Sequence, residues 1–220
     1  MVTKKLFVFS SILFSIVATL PNSHGLEAFG LSSKINLGQP ATEAQFPWQA
    51  LIEFQTSSGW FICAGALIDP RWVVTAARCA YGAQQFKITL EFVQVIPLAT
   101  VQLLVGAPVT VSGWGKISDQ SNVLSPTLNF ANLSTIINEN CRAIYGSLIN
   151  DGSLCCDGKP QHSTCDGDSG SPLVQYRSDG VYHTGVANFF HVSGCASGNP
   201  SVYARTSYYR TWILDTISKN

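Results

Sequence analysis

Short runs rich in Val, Ile, Phe and Thr recur along this chain, and Gly, Pro, Asn, Asp or Ser separates them. The clearest cover residues 48–54, 86–95, 101–105, 109–113, 172–176 and 182–190. Branched and aromatic side chains suit a pleated, half-buried surface, and the separating residues suit turns. Short strands at such close spacing predict an all-β sandwich or barrel. One stretch reads otherwise. Tyr208, Tyr209, Trp212, Ile213, Thr216 and Ile217 fall in pairs four apart behind Thr206 and Ser207. That spacing predicts an amphipathic C-terminal α-helix, capped by Thr206-Ser207 and laid on the body.

A length of 220 residues allows one large or two small domains. Hydrophobic residues make up 46% and the formal net charge is zero, which excludes a disordered tail. Lys and Arg never run beyond a pair, so no nucleic-acid partner is expected. Seven cysteines suit an oxidising compartment. The N-terminus agrees. Lys4 and Lys5 precede residues 6–20, which carry no charge, and Pro21 breaks the run. Ser23-His24-Gly25 then places small residues at the two positions a signal peptidase reads. The apolar run falls short of the roughly 20 residues a spanning helix needs. Residues 1–25 therefore read as a secretory signal peptide, with a mature chain from near Leu26 and no membrane partner.

The chemistry concentrates in Cys165-Asp166-Gly167-Asp168-Ser169-Gly170-Ser171-Pro172. A serine between glycines can stand on a tight turn with backbone N–H groups converging beside it. Taken alone, the tetrapeptide could be a plain turn. Three further stretches decide otherwise: Val111-Ser112-Gly113-Trp114-Gly115, Trp72-Val73-Val74-Thr75-Ala76-Ala77-Arg78-Cys79 and Phe46-Pro47-Trp48-Gln49. Together these resemble the chymotrypsin-like (trypsin-fold) serine proteases from about Lys34 to Asn220. The resemblance implies a two-barrel fold with a C-terminal helix. It makes Ser169 the nucleophile position, and the Gly167 and Ser169 N–H groups the oxyanion hole. Ser171 stands where the family has a second glycine.

By the same resemblance Lys34 precedes an activation site. Cleavage there by a protease of basic specificity would free the Ile35 ammonium to pair with Asp168. Asn36 and Leu37 depart from the family's pattern there. Residues 26–34 become an activation peptide and 35–220 the peptidase domain, divided into 35–108 and 109–220. The resemblance pairs Cys63 with Cys79, Cys141 with Cys155, and Cys165 with Cys195. Cys156 is left over, as a free thiol, an intermolecular link, or the true partner in place of Cys155. The adjacent Cys155-Cys156 pair lacks zinc-ligand spacing, so no metal and no cofactor are expected. Ser163 matches the specificity-pocket floor, and Asn188, Phe190 and Ser201 its walls. A neutral floor resembles members that prefer apolar side chains, and Phe190 would narrow the entrance. Asn132-Leu133-Ser134 is the one glycosylation sequon.

The catalytic triad is broken. Arg78 stands where the family has its histidine, just before Cys79. A guanidinium stays protonated and offers no acceptor lone pair, so it cannot act as a general base. His162, His183 and His191 match no catalytic motif and read as loop or strand residues. The family's aspartate lies between the histidine and the Gly-Trp-Gly segment, and no matching stretch exists here. Residues 81–90 resemble what normally follows the histidine. Residues 91–98 resemble what normally follows the aspartate. The join near Leu90/Glu91 therefore reads as a deletion that truncates the first barrel. Losing one triad member costs on the order of 10⁴-fold or more in turnover. Three readings follow. The one adopted is a secreted, inactive homologue that binds protein or peptide ligands as a monomer. The others are an active endopeptidase whose sequence lacks a segment, and a truncated product without function.

Overall fold

The computed structural model describes residues 38–160 and 163–219 in full, and the backbone of 4–9 and 16–18. The strands in chain order are β1 (Lys4–Phe9), β2 (Ile16–Ala18), β3 (Gln39–Pro40), β4 (Gln49–Thr56), β5 (Gly59–Asp69), β6 (Trp72–Ala76) and β7 (Gln85–Thr89). There follow β8 (Pro108–Gly113), β9 (Asn129–Ile136), β10 (Ser153–Cys156), β11 (Pro172–Arg177), β12 (Gly180–Phe189) and β13 (Ser201–Arg205). Two helices complete the fold, α1 (Asn138–Tyr145) and α2 (Thr206–Ser218). The first sheet runs β2-β1-β6-β5-β4-β7. The second runs β10-β13-β12-β11-β8-β9-β3, and β10 also pairs with β9, which closes it into a barrel.

Alternation explains the strands that carry the core. On β4, Ala50, Ile52 and Phe54 are buried while Leu51, Glu53 and Gln55 are half-buried. Ile52 pairs with Cys63 of β5 on one side and Ile88 of β7 on the other. On β9, Asn129, Ala131, Leu133 and Thr135 face inward with period two. β6 is buried at every position, so its sequence reads as a continuous apolar run rather than an alternation. One core cluster joins Trp48, Ile52, Val74 and Ile96 to Val174, Val186 and Ile213 and so links both sheets through α2.

The all-β, two-sheet architecture agrees with the sequence, while several details differ. The run 86–95 is a strand only to Thr89, and 101–105 is irregular with Val101, Leu104 and Val105 exposed. Leu104 instead offers its carbonyl oxygen to Thr135 Oγ1 at 2.6 Å, which ties the segment down without a ladder. α2 forms where expected, but Thr206 is its first residue, Arg205 is the N-cap, and no side chain caps it. Thr206 Oγ1 is engaged by His183 Nδ1 at 2.8 Å. The division at 108/109 is crossed by β3, which pairs Gln39 with Phe130 in the second sheet. Within 35–108 the first sheet has four strands, β4 to β7. Its other two, β1 and β2, come from residues 4–18, the segment read as signal peptide. Among the described residues no helix is long and apolar enough to cross a membrane.

Candidate active site

The Ser169 turn is held from three directions. Asp168 is fully buried, and its two carboxylate oxygens accept the N–H groups of Gly115 at 2.7 Å and Cys165 at 2.9 Å. Gly113 and Gly115 make room for it, since a Cβ at either would collide with the Asp168 carboxylate. That is the physical reason for glycines on both sides of Trp114. Burial pushes the Asp168 carboxyl up to about 7, against the pull of those two N–H bonds, and Asp166 adds to the rise. Lys34 and Ile35, the expected activation pair, lie outside the described residues.

Gly170 takes φ +85°, and a Cβ there would strike the Ala64 carbonyl oxygen and Thr75 Oγ1. Those two atoms are themselves bonded at 2.6 Å. The Ser169 carbonyl accepts the Ala64 N–H at 2.8 Å, which sews the turn to β5. Ser169 is half-buried. Among the described residues neither the Gly167 nor the Ser169 N–H donates to a protein acceptor. Ser171 is fully buried, and its hydroxyl has no hydrogen-bond partner among the described residues.

The opposite wall differs in kind. β6 ends in a 3₁₀ turn over Ala77–Cys79 that presents Arg78, an exposed residue, to the cleft between the barrels. Arg78 Nη2 donates to Asn188 Oδ1 at 3.2 Å. The β12–β13 register shifts between Ala187 and Phe189, so Asn188 falls in a bulge that turns it toward Arg78. Desolvation lowers the Arg78 pKa and Asp166 raises it, with the first effect larger. Asp166 itself pairs with Lys116 at 2.9 Å. No carboxylate among the described residues bonds Arg78.

A cleft of about 560 Å³ opens here, lined by Arg78, Lys116, Asp166, Phe189, Phe190 and His191 among others. Phe190 lines this cleft, and Asn188 reaches it only through its bond to Arg78. Ser163 and Ser201 do not line it. Both are buried, and their hydroxyls are spent on the Thr164 carbonyl at 3.0 Å and on Tyr203 Oη at 3.1 Å.

The histidines divide. His162 lies outside the described residues. His183 is fully buried, and desolvation brings its pKa down to about 3. His191 stands on the cleft wall, which sequence reading missed. Its Nδ1 accepts the Ser193 N–H at 3.1 Å, and its ring lies 5.8 Å from Tyr145. Asp119 was missed too. Its carboxylate takes the N–H groups of Cys195 at 2.7 Å and Ala196 at 3.1 Å and so clamps the loop beside the cleft. The pairing is 76 positions long and leaves no local trace in the sequence. Asp119, Cys165 and Cys195 are near enough for metal ligands. The two sulfurs are bonded to each other, however, and neither is a thiolate.

All three expected disulfides form: Cys63–Cys79, Cys141–Cys155 and Cys165–Cys195. Cys156 is a free thiol, buried in the second barrel's core, so it is neither an exposed link nor the partner of Cys141. Burial, with Asp157 adding, pushes its pKa up.

Comparison with known proteins places this arrangement. A family model described as Trypsin matches residues 35–91 and 88–213, two stretches that meet at the join near Leu90/Glu91. Brachyurin from Leptuca pugilator is 29% identical over 223 residues, covering 80% of this chain and 95% of its own length. Serine protease SP24D from Anopheles gambiae is 26% identical over 244 residues, covering 90% and 86%. The structure of HL collagenase superposes with a TM-score of 0.73 at 27% identity, over 84% of this chain and 99% of that one. Mouse brain neuropsin, a serine protease, gives 0.69 at 25% identity, over 82% and 99%. With the match spanning both barrels, the chain belongs to the trypsin family of serine proteases.

Proposed function

We propose that this chain is a secreted, catalytically inactive member of the family that acts by binding protein or peptide ligands. The observation that carries this reading is Arg78, which fills the base position and among the described residues bonds a neutral amide oxygen. Acyl transfer by Ser169 needs an acceptor for its hydroxyl proton, and a guanidinium has none. His191 offers no substitute, because its Nδ1 already accepts a backbone N–H of its own loop. What survives is the supporting frame. Asp168 is seated, the Gly167 and Ser169 N–H groups meet no acceptor among the described residues, and three disulfides brace the loops. Those bridges suit the extracellular compartment that the signal peptide over 1–25 would reach. Cutting after Lys34 by a protease of basic specificity would free the Ile35 amine for Asp168, whose buried charge otherwise lacks a counter-ion.

The test is turnover. Purified protein, cleaved after Lys34, is assayed on chromogenic peptide amides with apolar and basic residues at the cleaved bond. The expected rate is lower than that of an intact family member by on the order of 10⁴-fold or more. Turnover at ordinary family rates overturns the reading.

A further inference from the structure

Arg78 leaves the cleft with an unspent binding group. A guanidinium carries five N–H donors in a planar fork, and Asn188 Oδ1 takes one of them. The nearby acids are otherwise engaged. Asp166 holds Lys116 Nζ at 2.9 Å, and both oxygens of Asp119 hold backbone N–H groups. Asn188 fixes the fork's direction, since the β12 bulge aims that amide at Arg78. The cleft that Arg78 lines is also walled by Cys165 and Asp166, which lead into the Ser169 turn. The volume of about 560 Å³ lies in the range of ligand sites. Phe189 and Phe190 supply an apolar wall on the β12 side.

We propose that this cleft binds a peptide through a carboxylate, which the Arg78 guanidinium grips with two parallel N–H···O bonds. The chemistry follows from the fork. A carboxylate presents two acceptors at matching separation and pairs directly with a charge that Asp166, bonded to Lys116, offsets only from a distance. The same position occupied by imidazole would offer no such grip. The carboxylate has two possible sources, the C-terminus of a peptide or an Asp or Glu side chain. This inference rests on the non-catalytic reading above, because a carboxylate seated in the cleft offers no scissile bond.

Three fluorescein-labelled tetrapeptides test it by anisotropy against the disulfide-intact protein cleaved after Lys34. One is Ala-Ala-Pro-Phe with a free C-terminal carboxylate, the second is its C-terminal amide, and the third is Ala-Ala-Pro-Glu amide. At least one acid-bearing peptide is expected to bind about tenfold more tightly than the Phe amide. The one that does so names the source of the carboxylate. Arg78→Gln is expected to abolish the preference, and Arg78→Lys to leave part of it, because a point charge lacks the fork. Thermal melts of both variants establish that they are folded. Equal binding of acids and amide, binding of none, or a preference that survives Arg78→Gln overturns the proposal. Turnover of a chromogenic amide in the same samples would instead overturn the non-catalytic reading, and the Arg78→Gln comparison would still decide the carboxylate.

Discussion

The two walls of the cleft have fared differently. On the Ser169 side every support is present: the Asp168 seat, the glycines that clear it, the Ala64 tie and the Cys165–Cys195 bridge. On the Arg78 side the turn, the bridge from Cys63 to Cys79 and the buried β6 are in place, and the residue presented to the cleft is an arginine. The difference shows that the parts which hold a catalytic turn in place are also parts of the core. Gly170 packs on β5, and Asp168 is as buried as any Leu. Such residues are held by folding, whereas Arg78 sits on an exposed turn outside the core.

The comparison breaks most visibly at Gly170. Gly170→Ala forces a side chain into φ +85° and against the Ala64 carbonyl. The expected loss is about 3 kcal/mol or more in urea unfolding. A loss under about 1 kcal/mol would mean that the Ser169 side is no more rigid than the Arg78 side.

Asp168 gives a smaller effect with a definite sign. Its carboxyl sits at about 7 in the folded chain, well above the ordinary carboxylate range. The folded state therefore holds the proton more tightly over that interval. The contribution is fully present below about pH 4 and is lost as pH rises through about 7, a change of a few kcal/mol. Thermal melts of the uncut protein between pH 4 and 8 should show the decline. Asp168→Asn should flatten it, while lowering the whole curve by turning an amide donor toward one of two backbone N–H groups. Cleavage after Lys34 should also flatten it if the Ile35 amine reaches the carboxylate.

The smallest effect is expected at Ser171, whose buried hydroxyl has no partner among the described residues. Ser171→Ala keeps the shape and removes the orphan, so the protein should gain up to about 1 kcal/mol. A loss of stability there would show a bond to the hydroxyl that the static structure lacks.

The Ser169 side was legible in the sequence because its parts are contiguous. Gly167 to Gly170 and Gly113 to Gly115 each need glycine at fixed local steps, and the cysteine pairs follow the same pattern. The Arg78 side was legible as a substitution but not as a geometry. The partner Asn188 lies 110 positions away and is aimed by a bulge that no short window reveals. The Asp119 clamp and the cleft position of His191 escaped for the same reason. Local propensity misplaced residues 101–105, where branched side chains met solvent instead of a neighbouring strand. It also misjudged Thr206, whose hydroxyl a buried histidine had claimed.

The place of Ile213 has a consequence for how the molecule is made. It packs with Trp48, Ile52 and Ile96, residues that leave the ribosome long before it. At roughly 5–20 residues per second the wait is on the order of ten seconds. Through that interval the shared core is unfinished, since Val174 and Val186 join it late and Ile213 last. Long-range closure of this kind is slow on its own account. A nascent chain of this sequence is therefore most in need of a chaperone after most of its length has been synthesised, and truncations that remove α2 should stay chaperone-bound.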